Sequence, residues 1–215
     1  MKHELRAEVI ATARRTNDLG LSQGTSGNVS VRIGGGFLVT PSGMPYDELR
    51  PSDIVEVRTD GSLPGPARNP SSEWRLHRDI YEARPDAEAI VHVHSLHATA
   101  LAIHRRGIPA VHYMIAVAGG NDVRCAPYAT FGTEELARHT VSALEGRRAC
   151  LLANHGLVAL GDSLRQALHI AREVELVAAQ YWHALQIGQP IVLDDAQMAE
   201  VHERFRTYGP RRGRT

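Results

Sequence analysis

The sequence feature that most constrains the fold is an early pair of apolar segments joined by three consecutive glycines. Residues 28–33 alternate apolar and polar side chains, and the glycines at 34–36 lead into a short apolar run at 37–39. Alternation of period two is typical of a half-buried strand, and glycines between two such runs predict a hairpin. A hairpin joins antiparallel strands, so the pattern disfavours a regularly repeating βαβ fold.

Helical patterns occupy much of the remaining chain. Apolar residues recur at helical spacing in residues 3–19, from 71 to just before Pro85, and in 97–105, 133–145 and 163–187. Short apolar runs predict further strands at 53–57, 89–94, 149–153 and 157–160. We therefore predict an α/β three-layer sandwich around a largely antiparallel sheet, formed by a single domain spanning residues 1–215.

Charge and cysteine content exclude several classes of partner. The 24 basic residues balance the 24 acidic residues, so no overall positive field draws the chain to nucleic acid or to a membrane surface. Cys125 and Cys150 form no metal-binding motif, and the chain has neither an apolar signal segment nor a membrane-length apolar run. These features predict a reduced, cytoplasmic protein.

The strongest local chemical signal is the segment Val91-His92-Val93-His94. Side chains two residues apart on a strand project to the same side, so both imidazoles could bind one divalent metal ion. The pair alone is equally compatible with two ordinary histidines at a sheet edge. His155 supports a metal site, because it follows an apolar strand and precedes Gly156, where the chain can turn. Three histidines leave a zinc coordination position open, as in catalytic sites, although cobalt, nickel and manganese also suit such ligands.

Glu73 has two interpretations from the residues alone. With Ser71 or Ser72 as the N-cap, Glu73 falls in the first turn of a helix, where an acid interacts favourably with the helix dipole. Local sequence favours that interpretation. Alternatively, the carboxylate belongs to the histidine site, either as a further metal ligand or as a base.

Three polar segments rich in glycine and serine could bind an anion. They are residues 24–28, 40–43 and 71–72. Backbone N–H groups in such turns, with hydroxyl groups nearby, can hold a phosphate without lysine. None of these segments matches the motif of a nucleotide-binding P-loop.

Several motifs in one order resemble the class II aldolase/adducin family, and within it the branch that cleaves L-fuculose 1-phosphate. They are QGTSGNVSVR, TPSGMPY, PSSEW, HVHSLHATA, HYMIAVAGG, APYATFGT and NHGLVALG. The resemblance extends from the first helix to Tyr208. It implies that His92, His94 and His155 bind one zinc ion per subunit, and that Glu73 is a ligand in the resting state that swings away to act as the base.

The resemblance also assigns the remaining site residues. The substrate phosphate would be held by Gly27, Asn28, Ser42, Gly43, Ser71 and Ser72. Tyr113 would act from a neighbouring subunit, while Phe131 and Tyr208 would shape the site. A homotetramer with active sites at its subunit interfaces is implied as well.

The implied activity is reversible cleavage of a ketose 1-phosphate to dihydroxyacetone phosphate and an aldehyde such as lactaldehyde. Near alternatives are the aldolases that act on 5-deoxyribulose or 5-methylthioribulose 1-phosphate. More distant ones are a sugar-phosphate 4-epimerase and a methylthioribulose 1-phosphate dehydratase. A non-catalytic, adducin-like binding module is the alternative from another class, and it would be expected to lack the metal ligands.

Overall fold

The computed structural model describes residues 2–64 and 68–207. Its strands are β1 (Asn28–Ile33), β2 (Gly36–Val39), β3 (Val55–Arg58), β4 (Ala89–Val93), β5 (Arg124–Ala126), β6 (Ala149–Leu152) and β7 (Gly156–Gly161). Its α-helices are α1 (Lys2–Asp18), α2 (Trp74–Ala83), α3 (Leu96–Ile103), α4 (Glu134–Ala143), α5 (Leu164–Ile187) and α6 (Asp195–Thr207). Short 3-10 helices cover Tyr46–Glu48, Pro51–Asp53 and Tyr113–Ala118.

The seven strands form one sheet in the order β3-β2-β1-β4-β7-β6-β5. The glycine-linked hairpin predicted from the sequence is the β1–β2 pair, in which Ser30 lies opposite Val39. Each neighbouring pair is antiparallel except β5 and β6, which are parallel. Strand β4 lies in the middle of the sheet between β1 and β7.

Helices cover both faces of the sheet, and two apolar cores result. On one face, Val91 and Val93 of β4 pack in a core with residues of α1, α3 and α5. On the other face, Ile90 of β4 packs in a core with Ile80 of α2 and with residues of α4. Successive strand residues alternate between the two cores, as period-two geometry requires. The predicted three-layer sandwich around a largely antiparallel sheet is confirmed.

The structure differs from the sequence prediction at β3, β5 and α6, among other elements. Strand β3 begins at Val55 rather than at residue 53, because Pro51–Asp53 forms a 3-10 helix in which the Asp53 carboxylate accepts a hydrogen bond from the Arg50 N–H. Strand β5 was missed because three residues are too few for a periodic pattern. Helix α6 was missed because its pattern is weak, with Met198 as its fully buried apolar residue. None of the helices within residues 2–64 and 68–207 is long and apolar enough to span a membrane.

Candidate active site

Two of the candidate metal ligands come from the middle strand of the sheet. His92 lies in β4 on the face covered by α2, and His94 follows directly after the strand ends. The register between β1 and β4 places Asn28 opposite His92. His92 is fully buried, and the rings of His92 and His94 lie with their centroids 4.9 Å apart. The period-two prediction that these two imidazoles share one side agrees with this geometry.

The third histidine, His155, lies in the tight connection between β6 and β7. Gly156 lies so close to β4 that an added Cβ atom would be 2.5 Å from the Val93 carbonyl oxygen and 2.9 Å from the His94 ring. Because glycine has no side chain, the start of β7 can pack against β4. The His155 ring centroid consequently lies 4.8 Å from those of both His92 and His94.

The residue before His155 adopts a conformation that side chains rarely take. Asn154 has φ 55°, in the left-handed region, which asparagine tolerates better than alanine does. We expect Asn154→Ala to lower the free energy of unfolding by about 1 kcal/mol, and Asn154→Gly to lose much less. Chemical denaturation of the two variants measures this difference. An alanine variant as stable as the glycine variant would contradict the assignment of strain to this position.

Glu73 occupies a different position from the one that local sequence favoured. Helix α2 begins at Trp74, so Glu73 itself is the N-cap residue, and its side chain makes no capping hydrogen bond. The prediction that Ser71 or Ser72 caps the helix is therefore wrong. Ser71 instead accepts a hydrogen bond from the Glu73 N–H through its hydroxyl, at 3.3 Å. The Glu73 carboxylate is turned toward the histidines.

The spacing of the candidate ligand atoms fits a single metal ion. Glu73 Oε2 lies 3.1 Å from His92 Nε2, and Glu73 Oε1 lies 3.4 Å from His155 Nε2. His94 Nε2 lies 3.0 Å from His92 Nε2, and the four ligand atoms all lie within 4.8 Å of one another. Ligands about 2.0–2.1 Å from a tetrahedral zinc ion are separated by roughly 3.3–3.4 Å. Glu73 Oε1 is also buried without a hydrogen-bond partner among the residues described, which fits an oxygen that binds a cation.

Hydrogen bonding and protonation also suit metal binding. His92 Nδ1 lies 3.0 Å from the Leu157 carbonyl oxygen and can donate to it, so Nε2 is the ring nitrogen that faces the cluster. Burial, aided by the charge at His92, lowers the pKa of His94 to about 3 and that of His155 to about 4. Both rings are thus neutral near pH 7, with lone pairs available for a metal.

Glu73 and His92 have pKa values shifted in opposite directions. Burial alone would raise the pKa of Glu73, but the charge and hydrogen bond of His92 outweigh it, and the pKa lies well below its usual range. Burial would likewise lower the pKa of His92, but the charge and hydrogen bond of Glu73 raise it. The carboxylate is therefore ionised, as a metal ligand or a base must be.

The three predicted anion-binding segments meet at one cleft of about 320 Å³, next to the histidine cluster. Residues 40–43 and 71–72 lie together because the Ser42 N–H donates to the Asn69 carbonyl at 3.0 Å, and the Ser71 N–H donates to the Thr40 carbonyl at 3.0 Å. Glu73, His94 and His155 also line this cleft. The residues of these segments that line it and were expected to hold phosphate are Gly27, Asn28, Ser42, Gly43, Ser71 and Ser72.

The cleft contains the groups that an anion requires but no cationic side chain. No lysine or arginine is among its lining residues in the described part of the chain. Backbone N–H groups, hydroxyl groups and the start of α2 are the donors available to a phosphate. Gly27 is required here for two reasons, since its φ is 81° and an added Cβ atom would lie 2.5 Å from the His92 carbonyl oxygen.

The aromatic candidates divide between the cleft and a separate surface. Phe131 lines the cleft, whereas Tyr113 lies in a 3-10 helix beside Phe205 and lines a different pocket. Tyr208 lies outside the described residues. Sequence reasoning did not single out Tyr128 and Asn154, which also line the cleft. Tyr128 precedes Phe131 in the APYATFGT motif, and that proximity was the available signal.

Comparison with known proteins defines the class to which this fold and site belong. Residues 7–182 match the family described as Class II Aldolase and Adducin N-terminal domain. A 5-methylthioribulose-1-phosphate/5-deoxyribulose-1-phosphate aldolase of Rhodospirillum rubrum is 54% identical over 95% of this chain and 92% of its own length. An L-fuculose phosphate aldolase of Escherichia coli K12 is 50% identical over 98% of both chains.

A solved structure supports the same assignment. An L-fuculose 1-phosphate aldolase superposes with a TM-score of 0.92 at 44% identity, covering 94% of this chain and 96% of that one. The chain therefore belongs to the class II aldolase/adducin family. Within that family it is an enzyme of the aldolase type, a lyase.

Proposed function

We propose that this enzyme is a zinc-dependent aldolase that reversibly cleaves a ketose 1-phosphate to dihydroxyacetone phosphate and a small aldehyde. The observation that carries the proposal is the placement of Glu73 and three histidines at the edge of a cleft lined by anion-binding segments. A ketose 1-phosphate has a phosphate at one end and a ketone with an adjacent hydroxyl near it. The cleft offers complementary groups for both.

In this proposal His92, His94, His155 and Glu73 hold the metal. When bound, a zinc ion supplies Lewis-acid stabilisation of the negative charge that develops near the ketone oxygen as a C3 proton leaves. No lysine is then needed to form a Schiff base. The neutral rings of His94 and His155 and the ionised carboxylate of Glu73 support this assignment.

Glu73 is the proposed base. In the synthesis direction its carboxylate removes a proton from C3 of dihydroxyacetone phosphate, and in cleavage it returns that proton to C3. The depressed pKa of Glu73 keeps the carboxylate ionised before the proton arrives. The phosphate is held by backbone N–H and hydroxyl groups of the three converging segments, which fixes C3 relative to Glu73.

We assign the second proton transfer to Tyr113 of a neighbouring copy of the chain. Tyr113 lies outside the cleft of its own chain, and half of its surface is exposed. In synthesis its hydroxyl would donate a proton to the aldehyde oxygen, and in cleavage it would accept the proton of the C4 hydroxyl. Exposed Leu96, Ile103 and Trp182 on α3 and α5 support assembly of several copies, a homotetramer in our proposal.

The leaving aldehyde is the less determined half of the substrate. The relatives at 54% and 50% identity act on 5-methylthioribulose or 5-deoxyribulose 1-phosphate and on L-fuculose phosphate, respectively. Both observations support a ketose 1-phosphate, but the two relatives favour different aldehydes. Tyr128 and Phe131, which are exposed at the cleft, are positioned to contact the aldehyde end.

A substrate panel tests the proposal. The zinc-loaded protein is incubated with the 1-phosphates of L-fuculose, L-rhamnulose, 5-deoxyribulose and 5-methylthioribulose, and products are identified by mass spectrometry. We expect dihydroxyacetone phosphate from at least one sugar, together with its matching aldehyde. Absence of dihydroxyacetone phosphate from all four would contradict the proposal. Epimerised or dehydrated sugar phosphates would favour the other reactions of the family.

A further inference from the structure

A continuous hydrogen-bond network of buried polar side chains extends from Glu73 into the layer between the sheet and α2. Asn28 Nδ2 donates to Glu73 Oε2 at 3.0 Å, and Asn28 Oδ1 is hydrogen-bonded to His77 Nε2. Ser30 Oγ lies 2.6 Å from His77 Nδ1 and 2.8 Å from the Tyr81 hydroxyl. All five residues are buried. Buried polar groups cost free energy unless they are hydrogen-bonded, and an apolar residue at position 77 would avoid that cost. The presence of the network therefore suggests a role other than packing.

The two-residue repeat of a strand and the four-residue spacing along a helix place these five groups next to one another. Asn28 and Ser30 are two residues apart on β1 and face α2, and two strand residues advance about 6.7 Å. Glu73, His77 and Tyr81 are four residues apart at the start of α2 and along it, and four helix residues advance about 6 Å. The repeats nearly match, so each strand side chain lies between two helix side chains.

The charge of Glu73 fixes the direction of every hydrogen bond in this network of five side chains. A carboxylate only accepts, so Asn28 must present its NH₂ group to Glu73 and its carbonyl oxygen to His77. A neutral His77 then donates through Nε2, and its Nδ1 accepts from Ser30. Ser30 in turn accepts from Tyr81. In the reverse order, the Asn28 carbonyl oxygen would face Glu73 Oε2, and two acceptors would repel each other.

The two oxygens of the Glu73 carboxylate have different surroundings. Oε2 accepts from Asn28 and lies 3.1 Å from His92 Nε2. Oε1 is buried, has no hydrogen-bond partner among the described residues and lies 3.4 Å from His155 Nε2. One oxygen is therefore anchored by Asn28, while the other faces the candidate metal site.

We propose that His77 is a positioning residue that acts through Asn28 to anchor Glu73 Oε2, and that it thereby sets the position of the proposed base. This inference rests on the proposed function, because it assigns the geometry of the base in that reaction. His77 itself touches neither the substrate cleft nor the reacting atoms. Its contribution is to hold the Asn28 amide in one orientation, with its NH₂ group directed at Glu73 Oε2.

The test compares two substitutions of His77 in the zinc-loaded protein. His77→Leu removes the donor to Asn28, whereas the side-chain amide of His77→Gln places an N–H group at a similar reach. The readouts are exchange of the C3 proton of dihydroxyacetone phosphate with D₂O by NMR, the KM of that exchange and zinc content by atomic absorption. We expect His77→Leu to slow exchange about 10- to 100-fold, with KM and zinc content within about twofold of wild type. His77→Gln should recover most of the rate.

A matched control separates positioning from loss of stability. Thr140→Val removes a buried hydrogen bond, from the Thr140 hydroxyl to the Leu136 carbonyl at 2.7 Å, within α4 and away from the cleft. It should lower the melting temperature without slowing exchange. Wild-type exchange in His77→Leu would overturn the proposal, as would an equal loss in His77→Leu, His77→Gln and Thr140→Val.

The remaining outcomes are also decisive. Absence of exchange in zinc-loaded wild-type protein would refute the proposed function itself, which is distinguishable from failure of the His77 proposal. If His77→Leu does not fold, Ser30→Ala replaces it, because it removes the donor that selects the His77 tautomer. We then expect exchange to slow about threefold or more, and wild-type exchange in Ser30→Ala would overturn the proposal.

Discussion

Replacing Glu73 with glutamine is expected to slow exchange of the C3 proton of dihydroxyacetone phosphate with solvent by about 10²- to 10⁴-fold, the range for loss of a general base. Glutamine fits the site. Its carbonyl oxygen can accept the hydrogen bond from Asn28 Nδ2, and the three histidines remain to hold the metal. The substitution therefore removes the basic oxygen while leaving the surroundings in place, and we expect zinc and phosphate binding to persist.

The experiment uses proton NMR in D₂O for exchange and atomic absorption for zinc. Glu175→Gln is a matched control, since the Glu175 carboxylate accepts from the N–H groups of His97 and Ala98 at the start of α3 and does not line the cleft. Its exchange rate should equal that of wild type. Full exchange in Glu73→Gln would remove Glu73 from its role as base.

Replacing His92 with alanine is expected to weaken zinc binding severely. His92 is fully buried, faces Glu73 and His94 through Nε2 and has Nδ1 fixed by the Leu157 carbonyl oxygen. Residues that merely support a metal ligand change metal affinity about 10- to 100-fold, so loss of a ligand should weaken zinc binding by at least about 100-fold. Aldol cleavage should fall with zinc occupancy.

Zinc titration in a competing chelator measures the affinity of the His92→Ala variant. His97→Ala provides the control, because His97 lies only a few residues further along and bonds to Glu175 rather than to the cluster. Its zinc affinity should be unchanged. An unaltered affinity in His92→Ala would show that the ion, if bound, lies elsewhere.

Sequence periodicity predicted the sheet and two of the histidines for a clear physical reason. Strand residues two apart share a face wherever the strand lies, so the geometry of His92 and His94 is local. His155 was indicated by the apolar strand before it and the glycine after it. Strand β5 and helix α6 depend on tertiary packing rather than on a pattern of their own, and the sequence did not reveal them.

Glu73 and His77 mark the limit of such reasoning. Whether Glu73 caps a helix or faces the histidines depends on where α2 begins and how it lies over β1, which no local pattern specifies. His77 was not among the residues predicted for the site, yet it is fully buried. The available signal was its place in the apolar stripe of α2 beside Trp74, Ile80 and Tyr81, where a polar residue requires a partner.

The central place of β4 in the sheet determines when during folding the site can form. His92 bonds to Leu157, 65 residues further along the chain, and Glu73 bonds to Asn28, 45 residues earlier. Such distant pairings form slowly, because the entropy of closing long loops is lost before the contacts are gained. A metal ion held by these residues therefore cannot nucleate this fold as zinc does in a zinc finger. In the proposed enzyme, zinc would bind the assembled sheet and would stabilise it by mass action, by about 2.7 kcal/mol at a hundredfold excess over its dissociation constant.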